Sequence, residues 1–373
     1  MTKTSKATKT PSTESKKALH TKPTITKIEK SRVEIVGTIP TEHFESFRKK
    51  ALENINNEVT IDGFRKGKIP EAILASKVGE MSILEEMAEL ALSHSYPEIV
   101  INEKIDAIGH PEIHITKIAA GNPLEFKIIT AVVPETNLGD YKKVVKEEMS
   151  KVSKSKNTEE VSEKEIEDAI LQIRRSRADH SGHAHVENMS HEDHNKLIDA
   201  SLPEFTDDFV KSLGDFKDIT DFKAKVKVML AEERVEKEKE KMRISISDKL
   251  IETAVIDLPE VLVTSELKRI EAQFTDDIAR MGVTLEDYVK HAKKTIDDLR
   301  KEWRPHAEKK AKLQLVLNKI AADEKIVAKA EEIEAEVHHI VEHYADADRE
   351  RAAVYAETVL VNEKVFKFLE GLK

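Results

Sequence analysis

The sequence predicts an α+β head followed by an elongated, mainly α-helical body with projecting helical arms. Three observations carry that prediction. Strand-like runs occur only in the first 140 of 373 residues. The chain holds only 11 glycines and 5% aromatics, and its later two-thirds is built largely from Ala, Glu, Lys, Leu and Val, which favour helix. Ala231 to Lys241 has almost no apolar face over three turns, which suits a helix that leaves the globule better than one packed into it.

The head reads in order as follows. Ile28, Val33, Ile35 and Ile39 mark a strand between Ile25 and Pro40. Thr41 looks like an N-cap, with Phe44, Phe47 and Leu52 on one face of a helix reaching about Asn57. A short helix is expected near Glu71–Lys77, and a longer one from about Ser82 to Asn102, striped by Leu84, Met87, Ala88, Ala91 and Leu92. Two strands, 113–118 and 124–129, close the unit across a Gly121-Asn122-Pro123 turn.

Between the first two head helices lies the most informative stretch, Gly63-Phe64-Arg65-Lys66-Gly67-Lys68-Ile69-Pro70. Its glycines permit backbone angles other residues avoid, and Pro70 suits the first position of the next helix. The tip presents Phe64 for stacking and Arg65, Lys66 and Lys68 for phosphates. On its own this is either a ribonucleoprotein contact or an ordinary basic loop. Charge placement bears on the choice. Residues 1–70 carry 15 Lys and Arg against 8 Asp and Glu, a net of +7, so the other 303 residues carry −17 of the total −10. Only the head suits a polyanion.

The segments expected are 1–24, a disordered basic arm; 25–140, the α+β head; 141–201, a linker with a helix and a His-rich loop; and 202–373, a helical domain with arms. Val144 to Val161 is a Lys/Ser/Glu segment, and Ser162 to Arg177 carries the helical stripe Ile166, Ile170, Ile173. Beyond Leu202, one helix is expected from Asp218 to Ile256, supported by i,i+4 pairs such as Glu233–Lys237. Pro259 turns the arm back, and helices follow near 261–281, 284–323, 328–344 and 346–369.

Several classes are excluded. There is no cysteine, so no disulfide or thiolate metal site, which fits a reducing cytoplasm. No apolar run approaches 18 residues, so no membrane span is expected. No Gly-rich phosphate loop or nucleophile elbow occurs, so no catalytic residue and no cofactor is assigned. His180, His183, His185, His191 and His194 cluster in the linker, but their spacing matches no compact metal site, and a solvated tether is the default.

With the loop placed between two helices of such a head, the chain resembles the bacterial trigger factor family. The carriers are Gly63-Phe64-Arg65-Lys66-Gly67-Lys68-Ile69-Pro70, which matches the family's G-F-R-x-G-x-x-P signature, and Leu202-Pro203-Glu204-Phe205 through Lys211-Ser212-Leu213-Gly214. The long charged helix and Asp257-Leu258-Pro259 followed by Leu262 are also similar. The resemblance implies an ATP-independent chaperone. Its head would dock at the ribosomal exit tunnel through Gly63, Phe64, Arg65, Lys66, Gly67 and Lys68, touching a large-subunit protein and ribosomal RNA. Its arms would shield nascent or unfolded polypeptides, and a homodimer when free is compatible with it. It turns the apolar residues Val255, Ile256, Leu258, Val261, Leu262, Val359, Leu360, Val361 and Phe366 into client-contact candidates, though helical spacing alone equally suits helix packing. An alternative is a ribosome-bound occlusion factor without chaperoning. One departure stands out. The family's FKBP-like prolyl isomerase domain would fall between Arg177 and Leu202, where only 24 residues lie and no Phe, Tyr or Trp occurs. Chains below about 40 residues rarely fold unaided. Isomerase activity is therefore not expected.

Overall fold

A computed structural model describes residues 21–154, 160–178, 202–344 and 347–372. The N-terminal arm, apart from its last four residues, and the His-rich loop lie outside the described residues. The chain forms two compact units that cross its sequential order: residues up to 137 with 255–315, and residues 138–254 with 316–373.

The first unit is built on a four-stranded antiparallel sheet, β1 (Thr24–Ile28), β2 (Arg32–Ile39), β3 (Ala107–Lys117) and β4 (Leu124–Val132), in the order β1-β2-β4-β3. The strand expected from Ile25 to Pro40 is thus a hairpin. Its turn at Lys30 and Ser31 takes φ of 61° and 47° without glycine or asparagine, so no turn signal marks it. Alternation decides the faces: Val33, Ile35 and Ile39 of β2, and Leu124, Phe126 and Ile128 of β4, point into one core. Thr130 continues that buried row, its hydroxyl 3.0 Å from the Tyr96 hydroxyl.

Four helices supply the other wall: α1 (Thr41–Ser46), α2 (Arg48–Glu58), α3 (Glu71–Val78) and α4 (Glu80–Asn102). The helix expected from Thr41 breaks at Phe47. Pro40, not Thr41, is its N-cap, with no side-chain hydrogen bond. Ile83, Leu84, Met87, Ala88, Ala91 and Leu92 recur on one face of α4 and are all buried.

The same unit also contains β5 (Thr136–Asn137), β6 (Val255–Ile256), α9 (Glu260–Arg280), α10 (Leu285–Ala292) and α11 (Ile296–Asp323) as far as Leu315, while the helices between β5 and β6 belong to the other unit. The single helix expected over 284–323 is two, because Lys293 adopts the left-handed region at φ 52°. Bidentate pairs join the helices: Arg304 to Glu260 at 2.7 Å on both arms, and Arg300 to Glu271 at 2.8 and 3.0 Å. Phe274, Tyr288 and Trp303 pack ring to ring, with centroids 4.9 and 5.2 Å from Phe274.

The second unit is all helical: α5 (Tyr141–Lys154), α6 (Glu163–Ser176), α7 (Asp207–Leu213), α8 (Ile219–Thr253), the end of α11, α12 (Ala330–His343) and α13 (Arg349–Glu370). The Lys/Ser/Glu segment is helical as far as Lys154, because Tyr141 and Val145 give it a buried edge. Helix α8 ends at Thr253, three residues short of the expected Ile256. Val255 and Ile256 instead pair with Asn137 and Thr136 as a two-residue ladder.

The polar middle of α8 is exposed, and Glu233–Lys237 pairs at 2.5 Å as expected. Its ends, however, are packed. Phe222 and Val226 join Val161, Ile166, Ile170 and Val210 in one cluster, and Ile246 and Leu250 are buried at the other end. The long charged helix is therefore a strut whose exposed middle is anchored by packing at both ends. Near the second end Arg243 forms a bidentate pair with Glu363 (2.7 and 2.9 Å) and a further bond to Glu370 at 2.5 Å.

Candidate functional site

The basic loop sits between α2 and α3, and its base is fixed in three ways. Ile69 is buried in the head core. The Gly67 amide donates to the Asn56 carbonyl at 2.8 Å. The Asn56 side chain then pairs with Ile69 as another strand would: its Nδ2 donates to the Ile69 carbonyl (2.9 Å) and its Oδ1 accepts the Ile69 amide (3.1 Å). Within the loop, the Phe64 amide donates to Ile61 and the Lys68 amide to Arg65, both at 3.0 Å.

The two glycines are required by this path. Gly63 and Gly67 have φ of 87° and 76°, where side chains are strained. A Cβ on Gly67 would also lie 2.8 Å from the Asn57 Oδ1. Pro70 precedes α3 as its N-cap instead of occupying its first position, so its ring stiffens the loop's exit.

The tip is open. Phe64 is 37% exposed, a large aromatic ring with no stacking partner among the described residues. Arg65, Lys66 and Lys68 are exposed, and among the described residues none of them forms an ion pair. Two other cations of the unit are committed: Arg48 holds Glu80 with two bonds of 2.5 and 2.9 Å, and Lys27 holds Glu135 at 2.9 Å. The Arg48 guanidinium in turn keeps the Glu80 carboxyl below its ordinary range. Three uncommitted cations and one uncovered ring on a fixed base can meet phosphate and a flat apolar surface together. Sequence reading found the tip but missed Asn56, whose role lies in a contact 13 residues along the chain.

The apolar client candidates divide between the units. Val255 is 72% exposed, while Ile256, Leu258, Val261 and Leu262 are half-buried. Val261 is occupied against the head: its methyl would lie 2.5 Å from a Cβ on Gly109, which therefore stays glycine. Asp257 also ties this segment to the β1–β2 turn, accepting the Ser31 amide and hydroxyl at 2.7 Å. In the second unit Val359 is 40% exposed. Leu360, Val361 and Phe366 are half-buried, and the Arg243 guanidinium lies 5.2 Å from the Phe366 ring. The two groups are thus not brought together within one unit. Among the described residues no cluster of three or more His, Asp or Glu is placed to hold a metal.

Comparison with known proteins matches this arrangement. The family model for the N-terminal part of bacterial trigger factor matches residues 21–173, and that for its C-terminus matches 218–369. The chain belongs to the trigger factor family. Among its relatives, the trigger factor of Carboxydothermus hydrogenoformans is 28% identical, with 92% of this chain and 97% of that protein covered. The trigger factor of Desulforamulus reducens is 25% identical, covering 93% and 97%. A solved structure of the trigger factor chaperone, described in terms of promiscuous substrate recognition in folding and assembly, superposes with a TM-score of 0.51 at 18% identity, covering 95% of this chain and all of that one. The α+β head and helical body are therefore the trigger factor fold, and family and fold together support a chaperone role. The alignment to the Carboxydothermus trigger factor spans 419 positions, whereas 92% of 373 residues is about 343, so roughly 76 positions carry no residue of this chain. No described helix is long and apolar enough to cross a membrane.

Proposed function

We propose that this chain is an ATP-independent chaperone that docks at the rim of the ribosomal exit tunnel through Gly63–Pro70 and shields emerging polypeptides while they fold. One observation carries the reading. The only family signature rich in cations forms a rigidly based loop whose Phe64, Arg65, Lys66 and Lys68 are turned outward without partners among the described residues. Partners of the right chemistry are ribosomal RNA, for the cations, and a large-subunit protein surface, for the ring. Docking raises the local concentration of chaperone around the nascent chain without needing tight client binding.

In this reading residues 25–140 bind the ribosome in the cytoplasm, 141–201 replace the isomerase domain, and 202–373 hold clients. The two family matches leave 44 residues between them, 174–217, and α6 ends and α7 lies within that interval. A folded isomerase has no room there, so the chain chaperones without that catalysis. Exposed Val255 and Val359 head the client-contact candidates, with the half-buried residues around them as secondary contacts. Off the ribosome, the same residues are available to a second copy as a weak homodimer.

The test is co-sedimentation with large ribosomal subunits. The triple variant Phe64→Ala, Arg65→Glu, Lys66→Glu should stay in the supernatant while keeping the wild-type melting profile and the ability to suppress aggregation of an unfolded client. Unchanged co-sedimentation would refute the docking assignment. Failure of the wild-type chain to suppress aggregation would refute the chaperone assignment.

A further inference from the structure

Beside the basic loop lies a groove of opposite character. It holds about 450 Å³ and runs between the end of α1, the exposed side of α2 and the start of α3. Its floor is apolar, made by Leu52, Ile69 and Leu74, each less than 10% exposed. Three carboxylates line it: Glu45, Glu53 and Glu71. Glu45 accepts the Gly121 amide at 3.2 Å, whereas Glu53 and Glu71 have neither a hydrogen bond nor an ion pair among the described residues. Of the two cations present, Arg48 is neutralised by its bidentate pair to Glu80, which leaves Lys49 as the one uncommitted cation.

The groove adjoins the loop directly. Asn56 and Ile69, the two residues that clamp the loop's base, are also groove lining. The loop and the groove therefore share one base and lie side by side on the same part of the head. An apolar floor rimmed by carboxylates suits a side chain with a long aliphatic stem and a cationic head, because the stem buries while the charge stays at the rim. Nucleic acid phosphate is repelled by the same rim.

We infer that this groove receives a basic, aliphatic segment of a protein, a Lys- or Arg-bearing strand or tail, next to the RNA contacted by the loop. The site then has two poles: cations for phosphate, and carboxylates over an apolar floor for the basic protein that accompanies the RNA. Such a pairing makes docking selective for a protein–RNA boundary over bare RNA. The inference rests on the docking reading above and names the partner chemistry of that same site.

Two variants test it: Glu53→Gln with Glu71→Gln, and Glu53→Lys with Glu71→Lys. Both positions are exposed, so the fold should be kept, with only a small drop in melting temperature for the lysine pair because Glu71 lies in the first turn of α3. The probes are intact large ribosomal subunits and protein-free ribosomal RNA, with the triple loop variant as control. For intact subunits the glutamine pair should weaken binding roughly 3- to 10-fold and the lysine pair more, the scale expected for losing rim charge complementarity. For protein-free RNA the glutamine pair should have no effect, and the lysine pair should tighten binding because it adds cations beside the loop. The groove is not a docking element if the lysine pair binds intact subunits as well as or better than wild type. The parent reading fails separately, if the loop variant binds intact subunits like wild type.

Discussion

Replacing Asn56 with alanine removes both bonds that join its side chain to Ile69, at 2.9 and 3.1 Å. Each neutral, half-buried bond contributes about 0.5–1.5 kcal/mol net, so the pair is worth roughly 2 kcal/mol. That corresponds to about a 30-fold rise in the population of the opened loop. The loss is local, because Ile69 stays in the core and the Gly67 amide still reaches the Asn56 backbone carbonyl. Hydrogen exchange followed amide by amide reads this directly. The Ile69 amide should exchange about 30-fold faster, with amides in α4 unchanged. Asn56→Asp keeps the acceptor but loses the donor, and should fall between. A change under threefold at Ile69 in the alanine variant, with the fold intact, would refute the idea that Asn56 clamps the loop. If the clamp pre-organises the docking surface, affinity for large subunits should fall by a similar factor, since ordering the loop then costs binding energy.

Other outcomes follow from the same geometry. Gly67→Ala places a Cβ at φ 76° and 2.8 Å from the Asn57 Oδ1, so it should destabilise the head by about 1–3 kcal/mol in denaturant unfolding. Arg243→Met strands the half-buried carboxylates of Glu363 and Glu370 and should lower the melting temperature of the chain, whereas Lys237→Met, which breaks the exposed pair to Glu233 at the middle of α8, should change it little. The hydrogen bond from Arg304 holds the Glu260 carboxyl below its ordinary 4.5. A depressed carboxylate stabilises the fold above the unfolded value, and that stability is lost as pH falls through the folded one, so acid unfolding below about pH 4.5 should be shallower in Glu260→Gln. Trp303 is the one tryptophan of the chain, so Phe274→Ala, which opens the ring cluster around it, should red-shift the intrinsic fluorescence of the folded protein.

What the sequence disclosed, and what it did not, follows the range of the interactions. The buried stripe from Ile83 to Leu92 repeats with the helical period, so α4 was legible to within two residues at its start. The rows Val33-Ile35 and Phe126-Ile128 alternate, so the strands were legible too. The turn at Lys30–Ser31 and the break at Lys293 were not, because residues with Cβ atoms occupy left-handed conformations there, Lys293 closed by local helix-cap bonds and Ser31 held by a tertiary contact. Asp257 holding the Ser31 amide from 226 residues away is one such contact. The ladder of Val255 and Ile256 with Asn137 and Thr136 is similarly remote, and no local pattern announces a two-residue strand. At the candidate site the tip was legible as chemistry, because glycines and cations act where they stand. The clamp and the groove were not, since Asn56, Glu53 and Glu71 gain their meaning only when α2 and α3 are side by side.

A photo-crosslinking residue placed at Phe64 tests the central claim most directly. On ribosomes carrying a stalled nascent chain it should cross-link to a large-subunit protein and to ribosomal RNA, while the same residue at Val235, exposed on the strut, should not. Equal labelling from both positions, or none from position 64, would contradict the assignment of this loop as the docking site.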